Sequence, residues 1–317
     1  MIMRSNGQAL MANWRTVCRC VAAPLALALL FTGAVGASDG SGSVYPLGAE
    51  TILPGRMPAA GQTMFVEFTY SYSAEKLAGS FGQALLPGFH LRVGAVAGKV
   101  LHNWGVHVLG GALVTSAALP LVDIHLSTPV GKQSKIGIGN ADIETAVAYT
   151  KGPVSWWYGV EFYPPGFSYK QDALVNIGQH NYAGAPAAAF TYLPDHGRTE
   201  LSSKFQYIVN ATNGATNYRS GNEFVWEYAG MRNITRAVAI GGNGFYYQQT
   251  TDDLQNGVAY LNGNRGRNLA FGPEVRCHFK HFSMILKWHK DFLTENRAMG
   301  NALWLQFGVP LGGHHSE

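Results

Sequence analysis

The chain is poor in charge, in cysteine and in long apolar runs. Only 13% of its 317 residues are Asp, Glu, Lys or Arg, about half the share of a soluble domain. That deficit argues against a water-covered enzyme surface. It also argues against disorder, which goes with high charge and few aromatics, whereas aromatics make up 12% here. The three cysteines are Cys18, Cys20 and Cys277. Once an N-terminal segment carrying the first two is removed, neither an internal disulfide nor a Cys-based zinc site can form. Mean hydropathy is −0.01, too low for a chain threaded with several membrane helices. Residues 106–122 are the nearest candidate for one, but Gly110-Gly111, Pro120 and His107 interrupt them. The 39 glycines show no three-residue period, which excludes a collagen-like chain. An aromatic, Gly-rich and weakly charged chain is ordinary for a membrane β-barrel.

Residues 1–37 hold Arg4, Arg15 and Arg19 and no acid, then an apolar run over 21–31 and small residues over 33–37. This is the order of a secretory signal peptide, with a single anchor helix as the alternative; Met1, Met3 or Met11 can each serve as its start. Loss of those three arginines nearly balances the remaining charge. The sequence pI of about 8.9 therefore gives no basic face for nucleic acid. Residues 38–61 are rich in Gly, Pro and Ser without a strand period. They form either a loose periplasmic leader or a lumen plug.

From Gln62 to residue 310, apolar and polar residues alternate with period 2, the mark of strands with two unlike faces. Met64, Val66, Phe68, Tyr70 and Tyr72 share one face in this reading, and Leu91, Val93, Ala95 and Ala97 another. About twelve such segments occur, each near the 9–11 residues of a tilted membrane strand. Short connections, as at His102-Asn103, Lys151-Gly152-Pro153 and Lys280-His281, alternate with long ones over 74–87, 119–137, 164–181, 211–221, 250–266 and 293–300. The fold class expected is therefore all-β: a transmembrane antiparallel β-barrel of about 12 strands with short periplasmic turns and long extracellular loops. Trp104, Trp156 and Tyr228 fall beside short turns, and Tyr70, Tyr72, Phe162 and Tyr207 near long loops, as two interfacial belts require. Residues 311–317 form a C-terminal tail.

Chemical motifs are scarce. There is no H-E-x-x-H, Walker loop or G-x-G-x-x-G, and no cofactor or metal is expected. A Ser–His pair such as Ser202 or Ser283 with His278 or His289 would be needed for a hydrolase, and nothing singles one out. With apolar faces outward, the register points His90, Arg92, Asp142, Glu144, Glu161, Glu200, Lys204, Glu223, Glu227, Glu274, Arg276, His278, Lys287, His289 and Asp291 into the lumen. Such a mixed-sign set either pairs into a rigid network or lines a path. The substrate path expected runs past Arg92, Glu144, Glu161, Lys204, Glu274, Arg276, His278 and Lys287. Tyr163, Tyr182, Tyr246 and Tyr247, with Phe167, Tyr169 and Phe245, supply an aromatic mouth.

Several strings together carry a resemblance: Gly42 to Gly48 with Glu50, Leu53-Pro54-Gly55, Pro87-Gly88-Phe89, the GIGNAD of 137–142, Gly178 to Tyr182, Ser220 to Phe224, Tyr246 to Gln249, and the NRGRNLAFG of 264–272. The chain resembles the SphA-like, "meta-pathway of phenol degradation" family of bacterial outer-membrane proteins across essentially its whole mature length. The resemblance implies an outer-membrane barrel acting as a channel for aromatic or other hydrophobic compounds. It carries over no catalytic or binding residue.

The reading that follows is a non-enzymatic outer-membrane channel for passive uptake of small hydrophobic or aromatic compounds. Its partners are outer-membrane lipid, a small apolar ligand, and the export and barrel-assembly machinery. A non-transporting structural or lipid-binding barrel is the alternative, and an outer-membrane hydrolase a further one.

Overall fold

A computed structural model describes residues 42–311. The signal segment, residues 38–41 and residues 312–317 lie outside the described residues. Sixteen strands occur among the described residues. The first eight are β1 (Thr63–Leu77), β2 (His90–Val108), β3 (Gly111–Thr128), β4 (Gly131–Ile138), β5 (Asp142–Lys151), β6 (Val154–Tyr163), β7 (Ala183–Tyr192) and β8 (Thr199–Asn210). Then follow β9 (Tyr218–Arg219), β10 (Glu223–Asn233), β11 (Val238–Gln249), β12 (Leu254–Gln255), β13 (Val258–Ala259), β14 (Arg267–His278), β15 (Ser283–Glu295) and β16 (Ala298–Leu311).

Twelve of them close an antiparallel ring, in which each strand pairs with its neighbour in sequence and β1 pairs with β16 from Thr63↔Leu311 to Leu77↔Ala298. Closure leaves no free edge in lipid, which satisfies the backbone where water is absent. The remaining four lie off the ring. β4 continues above β5 along the same strand, β3, pairing its upper half while β5 pairs its lower half. β9, β12 and β13 form a small sheet within the long loops. No helix among the described residues is long and apolar enough to cross a membrane.

Most strands face as the alternation predicts. Val160, Phe162, Leu201, Leu286 and Leu303 are exposed on the outside, while Glu161, Glu200, Lys204, Lys287 and Gln306 are buried inside. Aromatic pairs sit on the outer surface at both ends, such as Tyr149 on Trp156 at 5.3 Å near a short turn and Phe162 on Tyr182 at 5.9 Å near a long loop. That is the interfacial level such rings prefer.

Three expectations need correction. First, β1 and β2 face the other way. Met64, Val66, Phe68, Tyr70 and Tyr72, and with them Leu91, Val93, Ala95 and Ala97, line cavities inside the ring. Their polar neighbours Thr69, Ser71, Ser73, His90 and Arg92 are exposed outside. The period was legible but not its phase, because this part of the inner wall is dry. Second, residues 119–137 are a long hairpin of β3 and β4 rather than a loop, and β15 and β16 join through a tight turn at Asn296-Arg297. Third, the turn placed at His102-Asn103 lies at Leu109-Gly110, both with positive φ.

One close approach fixes the β14–β15 contact. A Cβ on Gly272 would stand 1.8 Å from the carbonyl oxygen of Trp288, and the ladder skips from Phe271↔Lys290 to Glu274↔Lys287 beside Pro273, which lacks a donor. Gly272→Val is therefore expected to destabilise the barrel by about 1–3 kcal/mol through overpacking. A lower urea midpoint for unfolding from lipid vesicles checks this; an unchanged midpoint contradicts it.

Candidate functional site

Residues 42–61 run as a strap inside the ring. Their own sequence explains the irregular path: Pro46, Pro54 and Pro58 lack N–H donors, and Gly48 takes a φ of +87° that suits glycine alone. A backbone without regular pairing must find partners on the wall, and it does so mainly on one side. Glu227 of β10 accepts the N–H groups of Gly48 at 2.6 Å and Glu50 at 2.9 Å and the hydroxyl of Tyr45 at 3.0 Å. Glu200 of β8 accepts the N–H of Leu53 at 2.9 Å, and Thr191 of β7 that of Gly55 at 3.1 Å. Trp157 of β6 donates to the carbonyl of Pro54 at 2.6 Å. Lys287 of β15 donates to the carbonyls of Gly48 and Ala49 at 2.6 and 2.8 Å.

The electrostatic centre is Glu50. Its two carboxylate oxygens pair with Lys99 of β2 and Lys204 of β8. Those lysines continue to Glu144 at 3.2 Å and Glu161 at 2.8 Å. Burial alone would raise the Glu50 carboxyl, but Lys204 and then Lys99 outweigh it and hold it well below the ordinary carboxylate range. Oxygens of Glu50, Glu144 and Glu161 lie within 4.8 Å of one another. Two ammonium groups, of Lys99 and Lys204, already pair with these three carboxylates, so it is a buried ion-pair node rather than a cation cage. Lys204 also stands 4.7 Å from the ring centroid of Tyr45 and 5.8 Å from that of Trp157. Arg276 pairs with Glu200. Glu274 lies opposite Lys287 in the ladder, and neither of its oxygens takes a hydrogen bond from the protein.

On the other side of the strap the wall of β1, β2 and β3 stays apolar, and three cavities follow one another along it. The upper one, about 500 Å³, reaches Leu126 and Val130 at the long-loop end. The middle one, about 290 Å³, is walled by Phe68, Val93, Ala95, Pro120 and Trp304. The lower one, about 290 Å³, reaches Met64, Leu101 and Pro58 toward the short turns. The upper pair share Gly42, Ser43, Tyr70 and Val93, and the lower pair share Ala49, Glu50, Phe68 and Lys99. The strap thus divides the lumen into a polar, bonded half and an apolar, cavity-bearing half.

Of the residues expected to line a path, Glu144, Glu161, Lys204, Glu274, Arg276 and Lys287 are buried inside the ring. Tyr163 and Tyr247 are buried with them: Tyr163 bonds Glu161, and Arg297 lies 4.2 Å over the Tyr247 ring. Arg92 faces outward, as do Tyr182, which is exposed, and Tyr246, which bonds Gln248 at the exposed surface. Their side chains therefore belong to the outer surface and not to the lumen. His278 is exposed at the short-turn end of β14. Sequence reasoning missed Glu50, Lys99, Asn243 and the apolar inner wall. The signal was Lys99 itself: it shares its parity with Val93, Ala95 and Ala97, and a lysine in a dry wall faces a carboxylate, not lipid.

The sequence matches the family model described as "Putative MetA-pathway of phenol degradation" over residues 61–307. No curated protein matches it. Among solved structures, the fold is similar to the COG4313 outer membrane channel from Pseudomonas putida F1, at 14% identity over 84% of this chain and 100% of that one, with a TM-score of 0.71. A looser likeness is to the beta domain of the Bordetella autotransporter BrkA, at 10% identity over 78% of this chain and 99% of that one, with a TM-score of 0.48. Another is to a Pseudomonas aeruginosa FadL homologue, at 7% identity over 86% and 95%, with a TM-score of 0.40. At these identities the likenesses bear on the fold alone. The family match spans the strands of the closed ring, from the end of the strap to β16, so the chain belongs to the family described as the MetA-pathway of phenol degradation.

Proposed function

We propose that the protein is a passive outer-membrane channel for small hydrophobic or aromatic compounds, which move along the β1–β2–β3 wall beside the strap. The observation that carries this reading is the inverted inner wall. Met64, Val66, Phe68 and Tyr70 point inward where a water-filled pore would place polar side chains, and the cavities they line are continuous in their walls. An apolar solute gains there what it loses on leaving lipid, and the strap keeps that half of the lumen from becoming a free aqueous hole. The family's link to phenol degradation fits the same cargo class.

The test must keep the lipopolysaccharide leaflet intact, since apolar solutes cross plain phospholipid unaided. A deletion strain should take up radiolabelled 4-butylphenol several-fold more slowly than its complemented parent. Unchanged uptake across arenes and long-chain alcohols would favour the sealed, non-transporting barrel, for which the dense strap bonding is the supporting feature.

A further inference from the structure

Tyr70 carries a hydroxyl that the protein holds in place and does not use. The residue points into the lumen from β1 and lines both the upper and the middle cavity. Its ring is fixed on two sides, stacked on Tyr72 at 6.3 Å and tilted against Trp304 at 4.3 Å. Those neighbours are themselves tied down, Tyr72 by its hydroxyl to Asp291 at 3.0 Å and Trp304 beneath the Lys287 ammonium at 5.3 Å. Among the described residues the Tyr70 hydroxyl has no hydrogen-bond partner, yet the side chain stays only half-buried and its oxygen is not enclosed. His289 is a different case: its Nε2 meets Asn243, and its unpartnered Nδ1 is sealed against Gly48 of the strap. A phenylalanine at position 70 would fill the same space without leaving a polar group unpaired in a dry wall. Nothing in the packing calls for the hydroxyl.

Hydrocarbon surface lies on both sides of that oxygen. Phe89, Leu91 and Ile124 wall the upper cavity, and Phe68, Ala95 and Pro120 the middle one. The two meet at Tyr70 and Val93, beside Gly42 and Ser43 of the strap. A solute moving from one to the other therefore carries its polar atom past the hydroxyl. Neighbouring polar groups are engaged elsewhere. Asp291 takes the Gly300 N–H at 2.8 Å and the Asn268 amide at 3.0 Å besides Tyr72. Thr128 donates to the carbonyl of Gly131 at 3.1 Å, and Tyr45 to Glu227. A phenolic hydroxyl gives its proton readily and accepts weakly, because its lone pairs are drawn into the ring. Its best match is an acceptor oxygen on an otherwise apolar molecule. A ketone carbonyl offers two lone pairs there and brings no proton that the dry wall would leave unpaired.

We propose that Tyr70 is the point at which the passage selects its cargo, donating a hydrogen bond to the carbonyl oxygen of a neutral aryl or alkyl ketone held between the upper and middle cavities. The proposal rests on the passage reading above and names a cargo class within it. A hydrocarbon of the same shape leaves the Tyr70 proton unpaired, so the site discriminates by the oxygen rather than by size.

Equilibrium binding to the full chain in lipid nanodiscs, corrected for uptake by empty discs, tests this with 4-butylacetophenone and with 4-butylcumene, which has nearly the same shape and no oxygen. Tyr70→Phe should weaken binding of the ketone by about five- to tenfold and leave the hydrocarbon unchanged. The same variant should keep the wild-type urea midpoint, since the hydroxyl it removes has no protein partner; a lowered midpoint would give that hydroxyl a structural role and overturn the proposal. A readout that needs no variant is the carbonyl stretch of the bound ketone, which should fall in frequency relative to the ketone in lipid alone. An unshifted stretch contradicts the hydrogen bond. Equal losses for the two compounds would make Tyr70 wall and nothing more, and an undiminished ketone affinity in Tyr70→Phe sinks the proposal outright. If neither compound binds, the selection rule fails, and the cell-uptake experiment decides separately whether the passage reading stands.

Discussion

Deleting residues 42–61 is expected to raise the barrel's single-channel conductance in planar bilayers by about tenfold or more, because a ring of this size without a filler holds water. Eight-stranded rings are filled by their own side chains and sixteen-stranded ones conduct freely; a twelve-stranded ring lies between, and here the strap supplies the filling. Its removal uncovers Glu227, Glu200, Lys204 and Lys287, which now spend their hydrogen bonds on the strap. Facing water instead, they stay solvated, so the ring is expected to insert and conduct. A deletion variant that inserts yet shows the intact protein's conductance would mean that something other than the strap closes the lumen.

Lys204→Met is expected to destabilise the folded barrel by about 3–5 kcal/mol, since removing one partner strands buried charge on the others. Lys204 is fully buried against Glu50 and Glu161, and its loss also removes the cation from above Tyr45 and Trp157. Lys99→Met should cost less, because its second contact, to Glu144 at 3.2 Å, is longer than the 2.8 Å from Lys204 to Glu161, yet it touches the cavity wall and should alter uptake. Urea midpoints of the two variants separate these outcomes, and equal midpoints would contradict the assignment of Lys204 as the anchor. The pH dependence follows from Glu50. Its folded-state value is depressed, so its contribution is complete above the ordinary carboxylate range. It falls away as pH drops below that range toward the depressed value. Glu50→Gln should flatten the acid limb of strap release, read as protease access to the strap in detergent-solubilised protein.

The ring was legible because period-2 alternation survives wherever the two faces of a strand meet different solvents. Strands such as β8 and β14 put Lys204 or Arg276 on one face and Phe205 or Val275 on the other, and their facing could be read directly. In β1 and β2 both solvents are nearly dry on the inside, and the rule that apolar means outward inverts. The strap was not legible as a partner. Its anchors are backbone N–H and C=O groups, which every sequence has, and its single acid, Glu50, lies outside any pattern. Most of the inward charges of β5, β6, β8, β14 and β15 were found, but their partners could not be named, since pairing across a lumen depends on which strands stand opposite.

The strap also sets the order in which the chain can be completed. Ring pairing joins strands that are mostly neighbours in sequence. The strap's bonds instead join Gly48 to Glu227, 179 residues away, and Gly48 and Ala49 to Lys287 and Gln306, up to 257 residues away. Such distant contacts must wait for the loop entropy between them to be met. The strap is thus fully satisfied only once the last strands join the earlier ones that hold it. Until β15 and β16 have formed, the strap lacks its bonds to Lys287 and Gln306, and closing the β1–β16 seam is the event that encloses it.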